Sequence, residues 1–120
     1  MERTIFISEL EKRISEKRKF IQVVAGPRQV GKTTIIQQFL ERFRINHVYE
    51  SADAIQGESK EWIESLWNIC RLRIKSGASE VLLVIDEVQK VDNWSEIVKK
   101  LWDEDTRLKL NIKVILSGSS

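Results

Sequence analysis

Apolar residues recur along this chain with two periods, and the switching between them predicts helices alternating with strands. Residues 3–17 place Ile7, Leu10 and Ile14 at i, i+3, i+7 spacing, the signature of an amphipathic helix, with Ser8 and Glu11 resembling a capping box. The charges between them form a solvated face, and Ile5 and Phe6 are expected to pin the helix onto a sheet. Residues 20–25 are a short apolar, β-branched run that suits a buried strand, and residues 34–43 put Ile35, Ile36, Phe39, Leu40 and Phe43 on one helical face. Residues 46–50 read as a second strand with Ser51-Ala52-Asp53 as its exit loop. Residues 58–76 form a long amphipathic helix, with Ile63, Leu66, Trp67, Cys70 and Ile74 along one stripe, stopped by Gly77. Residues 81–85 are continuously apolar, as in a strand buried on both faces of a parallel sheet. Trp94, Ile97, Val98, Leu101 and Trp102 share a face of the last helix, which Asn93 and Glu96 would cap, and residues 112–116 make a fourth strand.

Four strand-like segments separated by helices specify an α/β fold: a doubly wound, three-layer sheet with right-handed crossovers. A length of 120 residues allows one domain with a real core. The net charge of +2 is too small to argue for nucleic acid or an anionic membrane as partner. Cys70 is the single cysteine, so no internal disulfide forms and a reducing, cytoplasmic setting is expected. No apolar run is long enough to span a bilayer, and the charged first 19 residues lack a signal-peptide core. His47 has no companion at metal-ligand spacing, and Trp62 and Trp67 sit where aromatic residues are core members more often than partner anchors.

Two stretches carry chemistry. Gly26-Pro27-Arg28-Gln29-Val30-Gly31-Lys32-Thr33 fits G-x-x-x-x-G-K-[ST], the Walker A phosphate loop, and it lies between a predicted strand and a predicted helix, the context it requires. Gly26 and Gly31 permit backbone conformations and close approaches that a side chain would block, so that successive N–H groups form a concave nest for a polyphosphate at the positive end of the helix. Lys32 would reach the β- and γ-phosphates and Thr33 would ligate Mg²⁺. The apolar run at 81–85 then delivers Asp86-Glu87 to the same edge, a Walker B pattern. Asp86 would hold Mg²⁺ beside Thr33, while Glu87, the next residue and pointing elsewhere, would polarise the attacking water instead of holding the metal. Asp53 also follows a strand, but a turn or cap aspartate is the simpler reading.

With these residues in hand, the chain resembles the AAA-superfamily ATPases of bacteria and archaea that join an N-terminal P-loop domain to an uncharacterised C-terminal domain. The resemblance rests on residues 26–34, including Thr34, on Ile85-Asp86-Glu87-Val88-Gln89-Lys90 and on Val114-Ile115-Leu116-Ser117-Gly118-Ser119-Ser120. Asp92 departs from it, standing where members commonly carry proline. The resemblance implies ATP and Mg²⁺ as ligands, and a P-loop sheet of the additional-strand, catalytic-glutamate type. Within a full order of 5-1-4-3-2, this chain would show 1-4-3-2. It implies nucleotide contacts from Gly26, Pro27, Arg28, Gln29, Val30, Gly31, Lys32, Thr33 and Thr34, catalytic parts for Lys32, Glu87 and Ser117, the last as a sensor of the γ-phosphate, and metal ligation by Thr33 and Asp86. In such proteins Ile5 or Phe6 can lie near the base or ribose.

The same resemblance implies a chain that continues past Ser120 to a fifth strand, an arginine finger and a C-terminal region through which a second copy or another protein would be bound. Residues 1–120 are thus expected to be the N-terminal part of an ATPase domain, binding ATP weakly and turning it over slowly alone. An alternative is a nucleotide-gated interaction module in which ATP acts as a switch. A helicase-like ATPase is a weaker one: Asp-Glu-x-Gln fits, but only about 50 residues separate Thr33 from Asp86 and no basic-aromatic strand-binding surface is visible.

Overall fold

The apolar pattern is taken up by the two faces of one parallel sheet. The computed structural model describes residues 2–25, 31–54 and 59–118. Its elements run α1 (Glu2–Ser15), β1 (Gln22–Ala25), α2 (Lys32–Arg42), β2 (His47–Ser51), α3 (Lys60–Lys75), β3 (Val81–Asp86), α4 (Trp94–Leu108) and β4 (Ile112–Gly118), with short 3-10 helices at Ala52–Ala54 and Val88–Lys90. The four-stranded sheet has the order β1-β4-β3-β2 with every pairing parallel, the order expected.

Side chains alternate across a strand, so β3 and β4 each feed both layers. Val81, Leu83 and Ile85 join Ile112, Val114 and Leu116 against α3 and α4, in a cluster with Ile63, Leu66, Trp67, Cys70, Val98 and Leu101. Leu82, Val84 and Ile115 face the other way, packing with Ile7, Leu10 and Ile14 of α1 and Ile36 and Phe39 of α2. All six residues of β3 are buried, as a continuous apolar run in a central parallel strand requires. Trp67 is fully buried and Trp62 packs partly buried on the same cluster, so both are core.

Several local expectations are corrected. Ser8 and Glu11 lie inside α1, which starts at Glu2, so they form no N-terminal cap. Ile5 and Phe6 are exposed instead of pinning the helix, because the buried stripe is Ile7, Leu10 and Ile14 and neighbouring positions turn away from it. In β1 only Val24 is buried, in the layer of α1 and α2; Val23 points to the other face, belongs to neither apolar cluster and is 63% exposed. Asn93 does occupy the N-cap of α4, but in a left-handed conformation (φ 58°) with no side-chain capping bond, a backbone state that asparagine tolerates better than most residues. Ser51 belongs to β2, and β4 runs on through Ser117 to Gly118. Glu58 lies outside the described residues.

Candidate functional site

Because all strands run one way, their C-terminal ends open on a single edge, the place where open α/β sheets bind ligands. The first chemical stretch is described only from Gly31 onward: Gly26, Pro27, Arg28, Gln29 and Val30 lie outside the described residues, as do Ser119 and Ser120. At Gly31 the backbone is left-handed (φ 74°, ψ 37°), a conformation glycine adopts without the penalty a Cβ would bring. α2 starts immediately after it, and among the described residues no side-chain capping bond is made at its N-terminus. First-turn N–H groups have no partner inside a helix, and the partial positive charge of a helix start favours an anion there.

Onto that end the sheet brings two carboxylates. Asp86, the last residue of β3, is 2% exposed and accepts four hydrogen bonds. Thr33 Oγ1 donates to Oδ2 at 2.8 Å and Tyr49 OH to the same oxygen at 2.9 Å. Ser117 Oγ donates to Oδ1 at 2.5 Å, and the Glu87 backbone N–H to Oδ1 at 2.9 Å. Burial alone would push the Asp86 carboxyl up, but these four donors together outweigh it and hold it below the usual carboxylate range. Asp86 is therefore an anion at neutral pH.

Glu87 reaches the same site by a route that strand alternation does not provide. β3 stops at Asp86, and Glu87 takes a left-handed backbone (φ 54°, ψ 41°) at the start of the Val88–Lys90 turn. This returns its side chain toward α2, where Lys32 Nζ lies 3.4 Å from Oε2, both groups about 95% buried. Gln89 Nε2 donates to the other oxygen, Oε1, at 2.7 Å. The turn sets Glu87 beside Lys32 and Gln89, while Asp86 bonds Thr33.

The structure brings together Gly31, Lys32, Thr33, Asp86, Glu87 and Ser117 from four different elements or their ends. Ser117 contacts Asp86 directly, from the strand lying between β1 and β3. Thr34 is exposed in the first turn of α2. Asp53 lies in the 3-10 helix after β2 and pairs with Lys90. His47 makes a ring-nitrogen contact to the Ile45 carbonyl.

Tyr49 was not singled out from the sequence. Its signal is a hydroxyl-bearing aromatic in β2, whose register places Ser51 opposite Asp86. Burial first, and then the bond to Asp86, push its hydroxyl up to about 12, so it is a neutral donor.

Among the described residues no cluster of three or more His, Cys, Asp or Glu side chains is placed to hold a metal. A hydroxyl and a carboxylate side by side, as at Thr33 and Asp86, instead form an oxygen-only donor pair. That pair fits Mg²⁺, which takes few protein ligands and keeps several waters.

A family model described as an AAA domain matches residues 18–120. Among curated proteins, an uncharacterized protein of Haemophilus influenzae is 26% identical over 107 residues, covering 84% of this chain and 26% of its own length. The uncharacterized protein MJ1637 of Methanocaldococcus jannaschii is 27% identical over 122 residues, covering 97% of this chain and 25% of its own. The chain thus spans about a quarter of the length of these relatives. Among solved structures, the Thermotoga maritima RuvB Holliday junction branch migration motor superposes with a TM-score of 0.53 at 16% identity, over 98% of this chain and 36% of that one. Caenorhabditis elegans PCH-2 gives 0.61 at 15% identity, over 98% and 37%. Parallel order, site placement and family match agree: the chain belongs to the AAA-domain family and has the fold of its P-loop ATPases.

Proposed function

We propose that this chain is the N-terminal part of an ATPase domain that binds ATP with Mg²⁺ and hydrolyses it. The observation that carries the reading is the meeting, at the start of α2, of Thr33 with Asp86 and of Lys32 with Glu87. Residues 26–31 and the first-turn N–H groups of α2 would cradle the phosphates, with Thr34 beside them. Lys32 would leave Glu87 for the β- and γ-phosphate oxygens, a stronger and doubly charged partner. Thr33 and Asp86 would hold Mg²⁺, which when bound neutralises charge on the phosphate oxygens. Glu87, relieved of Lys32, would align a water and accept its proton as the oxygen attacks the γ-phosphorus and the bond to the β–γ bridging oxygen breaks, releasing ADP, while Ser117 senses the phosphate from β4.

The work done with ATP, and any second copy or protein partner, belong to the rest of a longer protein in this reading. No described helix is long and apolar enough to cross a membrane, and we place the protein in the cytoplasm.

The test is a pair of variants. ATP at a hundredfold excess over its Kd should stabilise the protein by about 2.7 kcal/mol, and Lys32→Ala should remove that thermal shift. Glu87→Gln should keep the shift and abolish turnover. A shift that survives Lys32→Ala sinks the binding site. If the Glu87→Gln protein still performs its cellular task, ATP acts as a switch and hydrolysis is incidental.

A further inference from the structure

Gln89 and Gly118 make a contact whose chemistry is not explained by packing alone. Gly118 ends β4 in ordinary strand backbone, outside the positive-φ region, so its backbone does not require glycine. Its empty side-chain position is nonetheless filled. A Cβ there would fall 2.5 Å from Gln89 Oε1 and 3.4 Å from Cδ, so the amide of Gln89 occupies the space a side chain would take. From that seat Gln89 donates Nε2 to Glu87 Oε1 at 2.7 Å. Lys32 holds the other oxygen, Oε2, at 3.4 Å.

We infer that Gln89, seated against Gly118, is a positioning residue that keeps the Glu87 carboxylate aimed when Lys32 turns to the phosphate. This rests on the assignment of Glu87 proposed above. A glutamate has three side-chain torsions, and each contact on its carboxylate limits their swing. When Lys32 gives up Oε2, the bond from Gln89 still holds Oε1. β4 then touches both carboxylates through consecutive residues: Ser117 donates to Asp86, and Gly118 backs the amide on Glu87. The carboxylate that handles water and the one that handles metal are thereby referred to one strand end.

The experiment measures kcat, KM and ATP affinity of the full protein as the cell makes it, together with its melting temperature. The proteins compared are wild type, Glu87→Gln, Gln89→Ala, Gly118→Ala and the Gln89→Ala/Gly118→Ala double variant. Misaiming a reacting group by about 1 Å costs on the order of 100-fold, so each single variant should lose about 10- to 100-fold in kcat, with ATP affinity within about twofold of wild type. Gln89 is solvent-exposed and its truncation opens no cavity in the core, so this variant folds and serves even if Gly118→Ala folds poorly. The double variant should be no worse than the worse single one, because both act through one contact. Wild-type kcat in Gln89→Ala beside an inactive Glu87→Gln overturns the positioning assignment and leaves the ATPase reading standing. Multiplying losses in the double variant overturn the shared contact. Full turnover in Glu87→Gln removes the assignment of Glu87 and this inference with it.

Discussion

At the scale of single residues, Tyr49 links β2 to the carboxylate proposed to hold the metal. Its hydroxyl is one of two donors on Asp86 Oδ2, and loss of such an outer partner typically costs 10- to 100-fold in metal affinity. Tyr49→Phe should therefore raise, by about tenfold, the Mg²⁺ concentration needed for half-maximal ATP binding in a titration. The fold should be intact, since only one oxygen is removed. An unchanged Mg²⁺ midpoint would separate Tyr49 from the metal. Cys70 offers a different readout. It is fully buried, and burial pushes its thiol up to about 11. At pH 8 only about one native molecule in a thousand would carry the thiolate, even before access is counted. Ellman's reagent should label Cys70 only as fast as the core opens, and ATP should slow that labelling; rapid labelling of the native protein would contradict the packing of α3 on β3.

At the scale of elements, α3 and α4 are joined by a buried carboxylate that their apolar stripes do not announce. Asp105 accepts from Trp67 Nε1 at 2.6 Å and from Arg71 Nε at 2.9 Å, with no exposed surface of its own. Asp105→Ala would leave an indole N–H and a guanidinium without that partner, at a cost of about 3 kcal/mol in chemical denaturation. A loss below about 1 kcal/mol would mean that water satisfies both. The contrast with β3 explains what the sequence could convey. A continuous apolar run, a glycine before a lysine and a paired Asp-Glu are local patterns whose physics is complete within a few residues. Asp105, Tyr49 and Lys113, which bonds the Ile14 carbonyl at the end of α1, owe their roles to partners 34 or more residues away, and nothing nearby in the chain reveals them. Caps failed for a related reason. Ser8 and Asn93 have the right composition, but the actual start of α1 and the left-handed turn into α4 depend on how each helix docks.

At the scale of the whole molecule, strand order was legible only through the family resemblance, because a strand's sequence says how deeply it is buried and not which strand lies beside it. The order has a temporal side. β1, which leads into the proposed phosphate loop, is paired with β4 from Gln22↔Ile115 to Ala25↔Gly118, a partner made about 90 residues later. At 5–20 residues per second of synthesis, β1 waits roughly 5 to 20 s for the strand that holds it. During that interval the loop residues exist without Ser117 and without the sheet that aligns Asp86 against Thr33. ATP should accordingly protect ribosome-arrested chains from protease only after Ile112–Gly118 has cleared the exit tunnel, and protection of shorter chains would mean that the loop and α2 bind unaided. In that case the nucleotide marks, on the nascent protein, the moment at which β4 has been made and has closed over β1.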